Sequence, residues 1–576
     1  MHDLVIRNGK VVDGSGDPAR HADIAVDGEL ITEVGEVTGR GRREIDADGR
    51  LVTPGWVDIH THYDGQATWD PEISPSSWHG VTTIVMGNCG VGFAPADPAP
   101  DRRAWLIQLM EGVEDIPGTA LEEGMTWNWE SFPEYLDELD RLPRVVDVSA
   151  LVPHGPVRAY VMGERGGRNA EATPEEIHRM GELVREAVEA GAVGFSTTRT
   201  ILHRAKDGEL AAGTTASADE LIGIGLAMGA AGSGVFELAS DMFDPEGEFA
   251  WMARISRETG RPVTFNCLQD DGRPDHWRRL IELSRQANEQ GARIVPQVAG
   301  RPACLLLGFE STAHPFMFHP AYAPLAQLPF PERIERLRTP EVRAAITSQS
   351  SGTDGIAAFL SNFRKLFPLG DPPEYEPSPD QSVAAIAERE GRPPAEVAYD
   401  LMLGDGGRAL LYFPLLGYAR GDFRDLREML VQPGTVLGLG DGGAHCGILC
   451  DASLPTYMLS HWARDRHRGE RLSLEQAVRL QTRQTAELYG FDDRGLLAPG
   501  HLADVNVIDF DALSIAAPEM VYDLPAGGRR LVQRATGYVA TVKRGVVVRE
   551  HDEATGERPG RLLRGPQPAP AGAGTP

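Results

Sequence analysis

Two histidines two positions apart, His60 and His62, close the run Leu51-Val52-Thr53-Pro54-Gly55-Trp56-Val57-Asp58-Ile59. On a strand, residues i and i+2 share a face. At the C-terminal end of a barrel strand their imidazoles can converge on one ion, and imidazole suits zinc and similar borderline metals. The alternative is two unrelated surface histidines, which the preceding apolar strand and Pro-Gly turn disfavour. A second candidate follows the β-branched run Val81-Thr82-Thr83-Ile84-Val85-Met86. Cys89 stands there between Gly87 and Gly90, and a thiolate is a strong zinc ligand. A small buried apolar cysteine is the plainer reading. Third, Asp441 ends Val436-Leu437-Gly438-Leu439-Gly440 and enters the turn Gly442-Gly443. A carboxylate there can ligate a metal and serve as base for a metal-activated water; a turn cap is the alternative.

These residues must be positioned by the elements around them. Between the chain ends, β-rich runs alternate with helical ones, which implies a parallel sheet. Thr173, Pro174 and Glu176 predict a helix start, the apolar face Ile177, Met180, Leu183, Val184, Ala187 and Val188 continues it, and Gly191 ends it. Ser473 with Gln476 predicts another helix, closing at Gly490. Strand ends are expected near His60, Cys89, His154, Ser196, Ala239, Cys267, Pro296 and Asp441, and eight such ends suit a closed barrel. The first fifty residues read as short strands broken at Asn8-Gly9, Asp13-Gly14 and Asp27-Gly28, pairs that favour hairpins. Runs near 503–508, 537–542 and 545–548 have the same texture and are expected to join them in one composite sheet. The stretch from about 300 to 434 exceeds one crossover and reads as an insertion, either a lid over the barrel mouth or a peripheral helical elaboration.

Composition excludes several classes. The chain has 576 residues, with 56 Lys plus Arg against 84 Asp plus Glu, a net charge of −28. That balance argues against nucleic acid or anionic membrane as partner. The five cysteines are scattered, so no disulfide scaffold is expected. Met1-His2-Asp3-Leu4 does not begin a signal peptide, and the longest uncharged stretch, Leu221 to Phe236, falls short of the ~20 residues of a membrane span. A cytoplasmic protein acting on a small-molecule amide is expected, with self-association left open.

Together the motifs resemble the amidohydrolase superfamily, and within it the N-acyl-D-amino-acid deacylase (D-aminoacylase) family, of which the chain looks like a divergent member. The resemblance is carried by Asp3-Leu4-Val5-Ile6-Arg7-Asn8-Gly9, Pro54-Gly55-Trp56-Val57-Asp58-Ile59-His60-Thr61-His62, Gly80 through Gly90, Pro153-His154-Gly155-Pro156, Gly194-Phe195-Ser196-Thr197 and Gly500-His501-Leu502-Ala503-Asp504. It implies a TIM-like (β/α)8 barrel over 54–495, with the insertion lying within about 300–434. It also implies a β-sandwich composed of 1–53 and 496–550, leaving 551–576 as a flexible tail. It implies one or two zinc ions, or another divalent metal, with Asp441 as general base and then acid.

The resemblance also implies histidines on strands five and six, and neither is present. Strand five offers Glu237 or Asp241, and strand six offers Cys267, or Asn266 if the register slips by one. Glu237 and Cys267 are therefore expected as replacement metal ligands. His154, Arg199, Asn266 and His445 are expected around the substrate, Arg199 pairing with a carboxylate; structural roles for His154 and Arg199 are the alternatives. The expected function is deacylation of an N-acyl amino acid. Hydrolysis of a cyclic or natural-product amide, or an inactive barrel serving as a binding scaffold, are the other readings.

Overall fold

The computed structural model describes residues 1–348 and 355–570; the rest of the expected insertion and tail lies outside the described residues. Eight parallel strands form the barrel: Trp56–Asp58, Val81–Met86, Asp147–Ala150 continuing as Val152–Pro153, Gly194–Arg199, Val235–Ser240, Val263–Asn266, Ile294–Ala299 and Val436–Gly438. We number them one to eight. Neighbours pair in chain order. Strand three changes partner at Leu151, whose N–H still donates to Met86 O at 2.9 Å while Val193 N–H donates to Ala150 O at 2.9 Å. Closure occurs just beyond strands one and eight. Thr61 bridges Gly442, and the Asp441 N–H donates to His60 O at 2.9 Å. Each strand ends close to its expected position.

The crossovers carry the helices. Pro174–Ala190 begins with a complete capping box, Thr173 accepting from Glu176 N, and stops at Gly191. Its buried face, Met180, Val184, Ala187 and Val188, lies in the main core with Phe195 and Phe236 of the barrel. The helix opened by Ser473 and Gln476 departs from expectation. It ends at Leu480, and a second helix, Arg483–Tyr489, runs on to Gly490. The break falls where Gln481 O accepts from Val57 N–H at 2.9 Å, so strand one takes a carbonyl the helix would have used.

Both chain ends meet in one nine-stranded sheet. Leu51–Pro54 lies between His2–Val11 and Val505–Ile508, with Tyr538–Lys543, Val546–Glu550 and Glu553–Ala554 beyond. Ile6, Val11, Ile24 and Val26 share a core with Val505, Val507, Ala540 and Val542. Asp27-Gly28 does turn a hairpin, between Arg20–Asp27 and Leu30–Gly35. Asn8-Gly9 does not. Asn8 adopts a φ of 55° inside a continuous strand, and the register shift there is a bulge.

The insertion has its own core, built on Phe309, Phe316, Tyr322, Leu337, Tyr399 and Phe413. It leans on the loop after strand eight, where Leu306 N–H donates to Ile448 O and Thr312 N–H to Gly447 O. The tail corrects the sequence expectation. Its Pro, Gly and Ala content reads as loose chain, yet Leu562 and Leu563 are buried and Arg561 N–H donates to Asp147 Oδ1 at 2.7 Å. Bridges Val148 to Leu562 and Phe491 to Gln567 hold it beside the start of strand three and the end of the Arg483–Tyr489 helix. No helix among the described residues is long and apolar enough to cross a membrane.

Candidate metal centre

The C-terminal ends of strands one, two, five, six and eight converge on one buried cluster. His60 and His62 are each 1% exposed. His60 Nδ1 lies 3.1 Å from Gln297 Oε1 of strand seven, which leaves Nε2 facing inward. That nitrogen is 3.5 Å from Cys89 Sγ and 3.4 Å from Asp441 Oδ1. His62 Nε2 is 3.6 Å from the same Asp441 oxygen. Ligand atoms of His60, His62 and Cys89 all lie within 4.8 Å of one another.

The backbone is bent to achieve this. Cys89 has a φ of 57° and Asp441 of 43°, left-handed conformations uncommon for residues with a Cβ. Gly90 is needed beside Cys89, since a Cβ there would stand 2.9 Å from Thr197 Cα. Glu237, fully buried on strand five, accepts the Cys89 N–H at 2.9 Å. Among the described residues its other oxygen has no hydrogen-bond partner, and neither has Asn266 Oδ1. The Asn266 side chain is within hydrogen-bonding reach of the Cys89 thiol.

Charge in the cluster is unbalanced. Burial pushes the Glu237 carboxyl up to about 8, and burial together with Glu237 drives the Cys89 thiol well above its ordinary range. Burial lowers His60 to about 4, so it is a neutral imidazole. Burial works the same way on His62, but Glu114 and Asp441 outweigh it and hold it near 9. Burial opposes ionisation of Asp441, yet His62 and His60 keep it well below the usual carboxylate range. Protons thus sit on groups whose lone pairs point at one centre. Two imidazoles, a thiol, the Asp441 carboxylate and a Glu237 carboxyl with one unsatisfied oxygen are the donor set of a zinc-type ion, and the residues fit one.

The remaining expected residues separate clearly. His445 lies at the rim, 23% exposed, its Nε2 3.4 Å from Glu114 Oε2. Cys267 is not in the site. It is a fully buried member of the apolar core, raised to about 12 by burial alone. Adjacent strand residues face opposite ways, and Asn266 takes the inward position. His154 does not face a substrate either, because both ring nitrogens are engaged, Nδ1 with Thr197 Oγ1 at 2.8 Å and Nε2 with Glu220 at 2.9 Å. Arg199 is occupied by Glu248 at 2.8 and 3.0 Å and by Ala216 O. Asp241 staples a loop, accepting from Thr200 Oγ1 and Ile201 N–H.

Three residues of the cluster have no motif in the sequence. Glu114 ends the helix Pro100–Glu114 and is 1% exposed, with Oε1 3.3 Å from His62 Nδ1. His203 is lowered to about 3 by burial and by the neighbouring His445 and His62, while its Nδ1 pairs with Thr198 Oγ1 at 2.9 Å. Gln297 alone had a readable signal, a single amide within the apolar strand Ile294–Ala299.

Comparison with known proteins agrees with this geometry. The profile of the amidohydrolase family matches residues 43–549. A D-aminoacylase from Alcaligenes xylosoxydans xylosoxydans is 28% identical over 97% of each chain. An N-acyl-D-glutamate deacylase from the same organism is 27% identical, covering 98% of this chain and 96% of that one. Among solved structures, an N-acyl-D-glutamate deacylase from Bordetella bronchiseptica, complexed with zinc and a phosphonate mimic of the tetrahedral intermediate, superposes with a TM-score of 0.64. It is 25% identical and covers 98% of this chain and 99% of its own. A D-aminoacylase structure superposes equally well, at 24% identity.

Proposed function

The chain belongs to the amidohydrolase family, and on that footing we propose that it is a metal-dependent deacylase of N-acyl amino acids. The observation that carries this is the convergence of His60, His62 and Cys89 within 4.8 Å, with Asp441 touching both histidines. His60, His62, Cys89 and Asp441 would hold the ion, with Glu237 supplying an oxygen on strand five and Asn266 another on strand six. Bound zinc, or another divalent ion, supplies Lewis acidity toward the amide carbonyl and the attacking water. Relatives named D-aminoacylase, N-acyl-D-glutamate deacylase and N-acyl-D-aspartate deacylase support an acyclic amide as substrate.

In the reaction so assigned, Asp441 takes the water proton at its carboxylate. The water oxygen bonds to the carbonyl carbon, the C–N bond breaks, and Asp441 returns the proton to the leaving nitrogen. The products are a carboxylic acid and an amine, which part as carboxylate and ammonium once the acid's proton passes to the amine. Asp441 is held ionised by the two histidines, as a base must be. Gln297 fixes the His60 ring, so its inward nitrogen does not swing out of place. Against the scaffold reading stand Glu237 and Asn266, each with an oxygen that lacks a hydrogen-bond partner among the described residues, at the strands where the expected histidines are missing. Arg199 is committed to Glu248, so it does not receive the substrate carboxylate.

The test is release of free amine from a panel of N-acetyl D- and L-amino acids, alongside ring opening of cyclic imides and hydantoins. Amine release from the acyclic panel, lost in Asp441→Asn, is the expected result. Ring opening without amine release from any acyclic amide would overturn the deacylase reading.

A further inference from the structure

We propose that Glu114 is a positioning residue of the metal centre, its buried carboxylate clasping His62 from behind and tying it to His445 on the strand-eight loop. The inference rests on the reading of His60, His62 and Cys89 as metal ligands.

The placement of Glu114 is costly by every local criterion. It stands at the C-terminus of a fifteen-residue helix, the end whose dipole repels a carboxylate. It is 1% exposed, and no Lys or Arg pairs with it among the described residues. Its ionisable neighbours at ion-pair distance among the described residues are two imidazoles, His62 Nδ1 at 3.3 Å from Oε1 and His445 Nε2 at 3.4 Å from Oε2. Among the described residues neither His62 Nδ1 nor Glu114 Oε2 makes a hydrogen bond, so the two groups face each other at ion-pair distance only. A carboxylate buried with so little compensation destabilises the fold unless its partners serve another purpose.

Imidazole chemistry supplies that purpose. When Nδ1–H faces a carboxylate, the lone pair is fixed on Nε2 and the ring becomes a stronger ligand. Nε2 is the His62 nitrogen that faces Asp441. The clasp extends beyond one ring. The His445 N–H donates to the Glu114 carbonyl, and Gly447 N–H donates to Asp115 Oδ2 at 2.9 Å. The end of this helix is thereby stitched to the loop that carries Asp441. Helix, ligand and base are held in one register by two consecutive acidic residues.

The experiment measures zinc affinity by chelator competition for wild type, Glu114→Gln and Glu114→Ala, with the thermal midpoint of each apoprotein. Affinity should fall in the order wild type, Gln, Ala, with the Ala variant weaker by about 10–100-fold. The Gln apoprotein should melt within a few degrees of wild type, because a neutral amide of the same shape keeps the packing and gives up only the pairing with His62. Equal affinity in all three proteins overturns the inference and leaves the ligand reading standing. A Gln variant that loses affinity only in step with a lower apoprotein midpoint also overturns it, since a structural role would suffice. Failure of wild type itself to bind zinc overturns the ligand reading and this inference together.

Discussion

Asp441 and His60 are joined twice, by backbone and by side chain. The Asp441 N–H donates to the His60 carbonyl at 2.9 Å, and Asp441 Oδ1 stands 3.4 Å from His60 Nε2. The first contact closes the barrel between strands eight and one. The second sets the proposed base beside a proposed metal ligand. Closure of the fold and assembly of the site are therefore one event, and the left-handed φ of Asp441 is the local strain that accompanies it.

Asp441→Asn separates the two contacts. The backbone bond survives, so the variant should fold and melt near wild type. Turnover should fall by about 10²–10⁴-fold, the usual contribution of a positioned base. Steady-state kinetics beside thermal melting checks this, and unimpaired turnover would remove Asp441 from the proton-transfer role.

Metal affinity should rise with pH. Glu237 holds its proton up to about 8 and His62 up to about 9, and the Cys89 thiol is driven higher still. Each must shed that proton to donate a lone pair. Log affinity should climb by about one unit per pH unit for each proton displaced, from about pH 6 to about pH 8. Chelator competition across that range would show a flat line if these groups were not ligands.

His154, Glu220 and Arg158 form a buried ionic group behind strand four. Burial alone would raise the Glu220 carboxyl, but His154 and Arg158 hold it near 2, against an ordinary 4.5. Its folded pKa is depressed, so its stabilisation is present above about pH 4.5 and is lost as pH falls toward 2. Glu220→Ala should cost about 3–5 kcal/mol at neutral pH, since it strands the buried Arg158 guanidinium and leaves His154 Nε2 without its partner. Substrate KM should not move in any properly folded fraction. A KM change without a stability change would return His154 to the substrate site.

Arg199→Ala should behave likewise, lowering the melting temperature through loss of the Glu248 pair and leaving KM for N-acyl amino acids within about twofold. A large rise in KM, with kcat intact, would restore the carboxylate clamp.

Ending the chain at Glu557 removes the Arg561 bond to Asp147 and the buried Leu562 and Leu563. The truncated protein should melt several degrees lower. Full retention of stability would make the tail the loose appendage its composition suggests.

What the sequence disclosed and what it hid have distinct physical causes. The convergence of His60, His62, Cys89 and Asp441 was legible because each follows an apolar strand, and the i, i+2 spacing puts the two histidines on one face. The Thr173 to Gly191 helix was legible through its cap, a local interaction. Cys267 and Asn266 were confused because a one-residue slip exchanges the two faces of a strand. His154 and Arg199 look functional by type. Only tertiary contacts, with Glu220 and Glu248, show that they are already satisfied. Glu114 was invisible because helix C-termini rarely carry acids and no periodicity marks one that must. The tail was misread because two leucines and an arginine outweigh a composition that favours loose chain.

Elemental analysis tests the central claim most directly. Wild type and His60→Ala should be purified without chelator and their metal measured per chain. Wild type should hold about one or two zinc or similar ions per chain, and the variant should lose them together with activity. A metal-free wild type that still cleaves amides, or a His60→Ala protein with full metal and full turnover, would contradict that claim.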